Sequence, residues 1–122
     1  MNTALGEVLR LGISRSQSDR GFVALGDGGS AMTIVARQGL TMAEAESLIH
    51  LLDRPIKDLS ADPRPVIVSQ LSGDPRFSLE ERAAMPDIRS LALLPLALPS
   101  GTPGLFYADR LYELPLAIVG IA

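Results

Sequence analysis

The sequence predicts an α+β domain built around a central antiparallel sheet. Three observations lead there. Two stretches, residues 3–13 and 41–52, carry apolar side chains at helical spacing behind residues able to cap a helix. Short apolar runs of strand length lie at residues 22–26, 66–69, 88–96 and 105–111. Between runs stand turn-forming strings, DGG at 27–29 and PSGTPG at 99–104, placed to reverse the chain into hairpins.

Taken in order, Leu5, Val8, Leu9 and Gly12 line one face of a first helix, with Asn2 or Thr3 as cap and an end near Ser14. The polar connector SRSQSDRG leads into the strand FVALG, and DGG turns it back into a second strand within SAMTIVARQG. In the next segment Thr41 and Glu44 stand in capping-box relation. Met42, Ala45, Ile49 and Leu52 then form a helical stripe that stops before Pro55. VIVS, from Val66 and including Val68, has the β-branched content of a buried strand.

The stretch GDPRFSLEERAAMPDIRSLALLPL opens with an Asp-Pro turn. Ser78 then caps a short helix, Glu81 reaches back three residues later, and Pro86 stops it. The run IRSLALLPL reads as a strand because Pro95 argues against a helix interior; its missing N–H belongs at an edge or a bulge. PSGTPG returns the chain into LFYADRL, a second hairpin. In the closing YELPLAIVGIA, Pro115 can start a helix, while the β-branched residues and Gly120 also suit a strand.

A chain of 122 residues is the size of one domain, and 1–122 is expected to form a single one. With 47% hydrophobic but only 4% aromatic residues and no Trp, its core must be aliphatic. A net charge of −3 and scattered arginines give no pull toward phosphate backbones, so no direct nucleic-acid partner is expected. The absence of cysteine excludes disulfides, thiolate nucleophiles and Cys-ligated metals. No apolar run approaches the roughly 20 residues that span a bilayer, and the expected location is the cytoplasm, with no membrane partner.

Several strings, in order, resemble those of GAF domains. SDRGFVALGDGG is similar to the family's first strand and turn, where an acidic-basic-Gly trio precedes an apolar strand. VARQGLT resembles its second strand entering a helix, and PRPVIVSQLSGDPRF its third strand and following loop, although Asp62-Pro63-Arg64-Pro65 departs from the family's usual Gly-Glu-Pro-like turn. IRSLALLPL and PGLFYADR match the fourth and fifth core strands, with Ser90, Pro95, Leu96, Gly104 and Leu105 in the corresponding places.

The resemblance covers about residues 5–110. It implies helices packed on one face of the sheet and a ligand pocket on the other, roofed by a lid between Leu71 and Asp87. The implied protein is a sensory or regulatory module of a bacterial histidine kinase or enhancer-dependent transcription regulator. It would bind an unidentified small molecule without covalent chemistry or cofactor, as a homodimer that relays the change through terminal helices. The alternative is a ligandless dimerisation module. The residues after Tyr112 are short for the family's C-terminal helix, so the expectation is a piece of a longer signalling protein with that helix truncated.

The candidate ligand-binding residues are Val68, Asp74, Arg76, Phe77, Arg89, Ser90 and Tyr107. Asp74 and Arg76 read either as contacts to a polar ligand or as a turn closed by its own hydrogen bond. Arg89 either aims a guanidinium at a carboxylate or phosphate or pairs on the surface with Glu80, Glu81 or Asp87. Phe77, Phe106 and Tyr107 either stack on a flat ligand or anchor the core. His50 reads as a partly exposed helix residue rather than a haem ligand. No residue is assigned to catalysis: GDGG lacks the setting of a phosphate loop, the cyclic-nucleotide signature of the family is missing, and its methionine sulfoxide reductase needs cysteines.

Overall fold

The computed structural model describes residues 3–26 and 32–112. Its strands are β1 (Arg20–Leu25), β2 (Thr33–Gln38), β3 (Val66–Val68), β4 (Ile88–Ala97) and β5 (Pro103–Leu111). They form one sheet in the order β2-β1-β5-β4-β3, with every neighbouring pair antiparallel. The two expected hairpins, β1–β2 and β4–β5, are both present. The DGG turn of the first lies outside the described residues, and the second turns through Gly101 at φ +85°.

The sheet is covered on both faces. Among the described residues, helix α1 (Thr3–Ser16) is alone on one, over β1 and β2, where Leu9 and Ile13 pack against Val23, Phe106 and Ala108. Their i, i+4 spacing puts both on one stripe of the helix. A Cβ on Gly12 would lie 2.6 Å from the Phe106 ring, so α1 sits as low on the sheet as it does because that side chain is missing.

The opposite face carries α2 (Met42–Leu51), α3 (Asp53–Ala61) and the β3–β4 connection. Ala45 and Leu48 from α2, Leu52 from its end, and Ile56 and Leu59 from α3 close over Phe22, Leu93, Leu105 and Tyr107 of the sheet. The expected lid therefore shares its face with two helices. Within the connection, a 3₁₀ turn (Leu71–Gly73) is followed by α4 (Leu79–Ala83).

The capping boxes at Thr41–Glu44 and Ser78–Glu81 are both formed, each Ser or Thr hydroxyl accepting the Glu N–H and each Glu carboxylate accepting the N–H of the cap. Helix α2 ends before Pro55, as expected, but the chain re-enters a helix at once. Pro55 is the third residue of α3, in the first turn, where its missing N–H leaves no intrahelical bond unmade.

Pro95 is not on an edge strand, since β4 lies between β5 and β3. However, β3 reaches only Leu91 to Leu93, so beyond it, among the described residues, Pro95 pairs with Leu105 alone and has no strand on its other side. The bulge of β4 falls instead between Ile88 and Ser90. The expectations for residues 113–122 lie outside the described residues.

Candidate functional site

The lid is tied down by apolar anchors and by arginines. Leu71, Phe77, Met85 and Ile88 are buried along the connection and join Val68 and Leu91 in the core beneath. Burying a ring such as that of Phe77 stabilises by about 1.5–3 kcal/mol. Above the ring, Arg54 of α3 reaches across: its Nε and Nη2 donate to both oxygens of Glu81 at 3.0 and 2.9 Å, and Nη2 also donates to the Arg76 carbonyl at 2.8 Å. The guanidinium carbon stands 5.9 Å from the centre of Phe77, and Nη1 donates to Asp58 one turn along α3. One side chain thus joins α3, the Asp74–Phe77 turn and the capping residue of α4.

Asp74 and Arg76 form the self-closed turn that was one of the two readings. The Arg76 backbone N–H donates to Asp74 Oδ1 at 2.9 Å, its guanidinium pairs with the same carboxylate, and Nη2 donates to the Ile67 carbonyl at 2.7 Å. Arg76 therefore also covers an outward-facing carbonyl of the short edge strand β3. The guanidinium beside Asp74 holds its carboxyl below the usual carboxylate range, and Arg54 does the same to Glu81.

Tyr107 is fully buried. Its ring stacks on Phe22, directly opposite in the β1–β5 register, with centroids 5.0 Å apart, and its hydroxyl donates to Asp109 Oδ2 at 2.5 Å. Asp109, itself 1% exposed, also takes two bonds from Arg20. Burial, and then the neighbouring carboxylate, push the Tyr107 phenol well above its ordinary range.

The seven sequence candidates do not form one constellation. Val68, Phe77 and Tyr107 are buried on the lid face, whereas Arg89 is exposed at the β4 bulge. Among the described residues Arg89 makes no ion pair with Glu80, Glu81 or Asp87. Ser90 is half-buried and paired with Arg110, on the α1 face and so on the far side of the sheet from Tyr107. The sheet surface around Tyr107 is occupied by the chain's own Phe22, Leu91, Leu93 and Phe77.

Open space lies instead beside α3. One cleft of about 720 Å³ runs between α3, with Arg54, Asp58 and Leu59, and the Arg64–Val66 connector together with Arg76 and Phe77 of the lid. A second, of about 440 Å³, is lined largely by apolar residues including Met32, Ile56, Pro95, Leu96 and Leu105. Leu59 borders both. Arg76 and Phe77 are thus the sequence candidates that line the first cleft. Helix α3, which supplies the other wall, is not apparent from the sequence, because Pro55 reads equally as the end of one helix and as the first turn of the next. The Asp53–Lys57 pair and the buried Ile56 and Leu59 were the available signals.

No protein-family model matches the sequence, and a search of curated proteins finds no match. Solved structures do match in fold. A GAF domain/HD domain protein from Geobacter sulfurreducens superposes with a TM-score of 0.64 at 10% identity, over 98% of this chain and 83% of that one. A domain assigned to a two-component sensor histidine kinase protein from Sinorhizobium meliloti gives 0.60 at 21% identity, over 99% and 82%. The GAF domain of a phosphoenolpyruvate-protein phosphotransferase from Coxiella burnetii gives 0.63 at 16% identity, over 90% and 67%. A five-stranded antiparallel sheet with α1 on one face and α2, α3 and the lid on the other defines an α+β fold. That fold is the GAF fold.

Proposed function

We propose that this chain is a sensory or regulatory GAF domain of a bacterial signal-transduction protein, a histidine kinase or an enhancer-dependent transcription regulator. It binds a small molecule non-covalently in the cleft between α3 and the lid, and carries out no chemistry of its own. The observation that carries this reading is the composition of the cleft walls: α3 forms one side, and Arg76 and Phe77 of the lid form part of the other. A molecule seated there touches both, so its binding energy depends on where the lid stands. The bound lid position is then passed through β4 to the terminal helices as a population shift. A fold shared with a sensor histidine kinase domain and with a phosphotransferase GAF domain supports the same placement. Among the described residues no helix is long and apolar enough to cross a membrane, and the proposed location is the cytoplasm.

The test is thermal unfolding against nucleotide, amino-acid and keto-acid panels, with hydrogen exchange of residues 71–87 followed in parallel. The reading expects a raised melting temperature together with slower lid exchange, since a ligand that binds only the folded state must stabilise it. Stabilisation without any change in lid exchange contradicts the relay.

A second reading, a ligandless module for homodimerisation, draws support from a different observation. The sheet face beneath the lid is filled by Phe22, Phe77, Leu93 and Tyr107, while α1 leaves Val8 and Leu11 more than 40% exposed on its outer side at 45% and 44%. Sedimentation of the wild type against Val8→Glu/Leu11→Glu tests it. This reading expects a dimer that the pair of charges splits.

A further inference from the structure

We infer that the cleft beside α3 takes a small zwitterion: a molecule with one carboxylate, one ammonium and a compact apolar body, of which an apolar amino acid or dipeptide is the simplest case. This rests on the proposal that the cleft is the ligand seat, and adds the chemistry of what sits in it.

The argument starts from which polar atoms of the cleft are spent. Arg76 uses Nε and Nη2 on Asp74 and the Ile67 carbonyl, leaving its Nη1 group for another acceptor. Arg64, on the connector beside it, uses Nε and Nη2 on Asp62 and likewise keeps Nη1. Asp58 receives Arg54 on Oδ2 alone, so Oδ1 remains an open acceptor. Asp62, by contrast, has both oxygens engaged by Arg64. What the protein leaves over is therefore two guanidinium Nη1 groups and one carboxylate oxygen, on three residues that line one space.

A simple anion satisfies the guanidinium edges but brings negative charge toward Asp58; a simple cation meets Arg54, Arg64 and Arg76. A molecule carrying both charges places each against its opposite. Between the polar positions Pro55, Leu59, Pro65 and Val66 supply an apolar wall, and a volume of about 720 Å³ admits a side chain as large as phenylalanine's. The Arg76 end ties the ligand to the lid, because the same guanidinium holds the Ile67 carbonyl and the same residue's carbonyl is held by Arg54.

The experiment is an NMR titration of the whole chain with L-phenylalanine and the dipeptide Gly-Phe. Two half-charged relatives run beside them: 3-phenylpropanoate, which lacks the ammonium, and 2-phenylethylamine, which lacks the carboxylate. The zwitterions are expected to shift the amides of residues 54–66 and 76–77. Each half-charged relative should bind about tenfold or more weakly, the equivalent of one lost charge-assisted hydrogen bond. Asp58→Asn, an exposed substitution that leaves Arg54 its Glu81 partner, should weaken L-phenylalanine and leave 3-phenylpropanoate unchanged; Arg64→Gln should weaken both.

Equal binding of zwitterions and either relative overturns the zwitterion inference while the cleft survives as a ligand seat. So does binding by a half-charged relative alone. If none of the four moves the cleft amides, the inference falls. Should protein purified from its native host also carry no bound small molecule, the reading of the cleft as a ligand seat falls with it.

Discussion

The Arg20 guanidinium grips the buried carboxylate of Asp109 across the β1–β5 pair, Nε to Oδ1 at 3.0 Å and Nη2 to Oδ2 at 2.6 Å, while the Tyr107 hydroxyl donates to Oδ2 from two residues away. On either side, the Asp19 N–H donates to the Asp109 carbonyl at 2.7 Å, and Asp19 Oδ2 accepts the Leu111 N–H at 2.7 Å. The Asp19-Arg20-Gly21 trio thus sets the register of the two central strands. Breaking this pair from the Arg20 side leaves an uncompensated buried carboxylate. Arg20→Met is expected to destabilise by about 3–5 kcal/mol, the usual cost of orphaning one buried partner. Urea unfolding measures it, and a loss under about 1 kcal/mol, the range of surface pairs, contradicts a buried role.

The raised phenol of Tyr107 has a consequence at high pH. Its folded value lies above the ordinary 10.0, so the stability it contributes is complete below that pH and lost as pH rises through the higher folded value. Alkaline unfolding should therefore coincide with tyrosinate formation at Tyr107, read by ultraviolet absorbance. Tyr107→Phe, less stable at neutral pH by about 1–3 kcal/mol for the lost bond to a charged acceptor, should lose less on going above pH 10.0.

Two glycines of the chain should respond in opposite directions to alanine. A Cβ on Gly21 would lie 2.5 Å from the Tyr107 carbonyl oxygen, a backbone atom that cannot step aside without disturbing the β1–β5 ladder. Gly21→Ala is expected to cost about 1–3 kcal/mol or more, as overpacking does. At Gly6, within α1, a Cβ would meet no atom of the described residues within 4 Å. Gly6→Ala should therefore stabilise by roughly 0.5–1 kcal/mol through helix propensity alone. Melting temperatures of the two variants decide it.

Lid closure depends on Arg54. Arg54→Gln should raise hydrogen exchange across residues 76–84 while leaving the β1–β5 amides protected, because the lost bonds are to Arg76 and Glu81. The Glu81 carboxyl is held below its ordinary 4.5, so the contribution of the latch is present above that pH and lost as pH falls through the lower folded value. In the wild type, the protection factors of the lid amides should fall as pH drops below 4.5. In Arg54→Gln they should already be low and nearly independent of pH.

The two hairpins were legible in the sequence because each is a local event, a turn string between apolar runs, with Gly101 at positive φ where the second turn needs it; the β1–β5 and β3–β4 pairings that complete the sheet join distant segments and were not. The capping boxes were legible for the same reason. Helix α3 was not, because a first-turn proline and a helix-stopping proline look alike until the next turn is seen to pack Ile56 and Leu59. The site was harder still. Ser90 and Tyr107 lie on opposite faces of the sheet, because an odd number of steps separates their pairs in the regular β4–β5 register. The Arg20–Asp109 pair joins residues 89 positions apart, which the strings SDRG and YADR hinted at only as family likeness. The cleft has walls from two separate segments, residues 54–66 and 76–77, and no local pattern announces that they meet.

The central claim is that the domain holds a small molecule, and the most direct measurement is the mass of the gently purified native protein compared with its mass after denaturation. The account predicts a reproducible extra mass that disappears on unfolding and is reduced in Arg64→Gln. Equal masses, together with a melting temperature unmoved by the nucleotide, amino-acid and keto-acid panels, would contradict it, because binding to the folded state alone must stabilise that state.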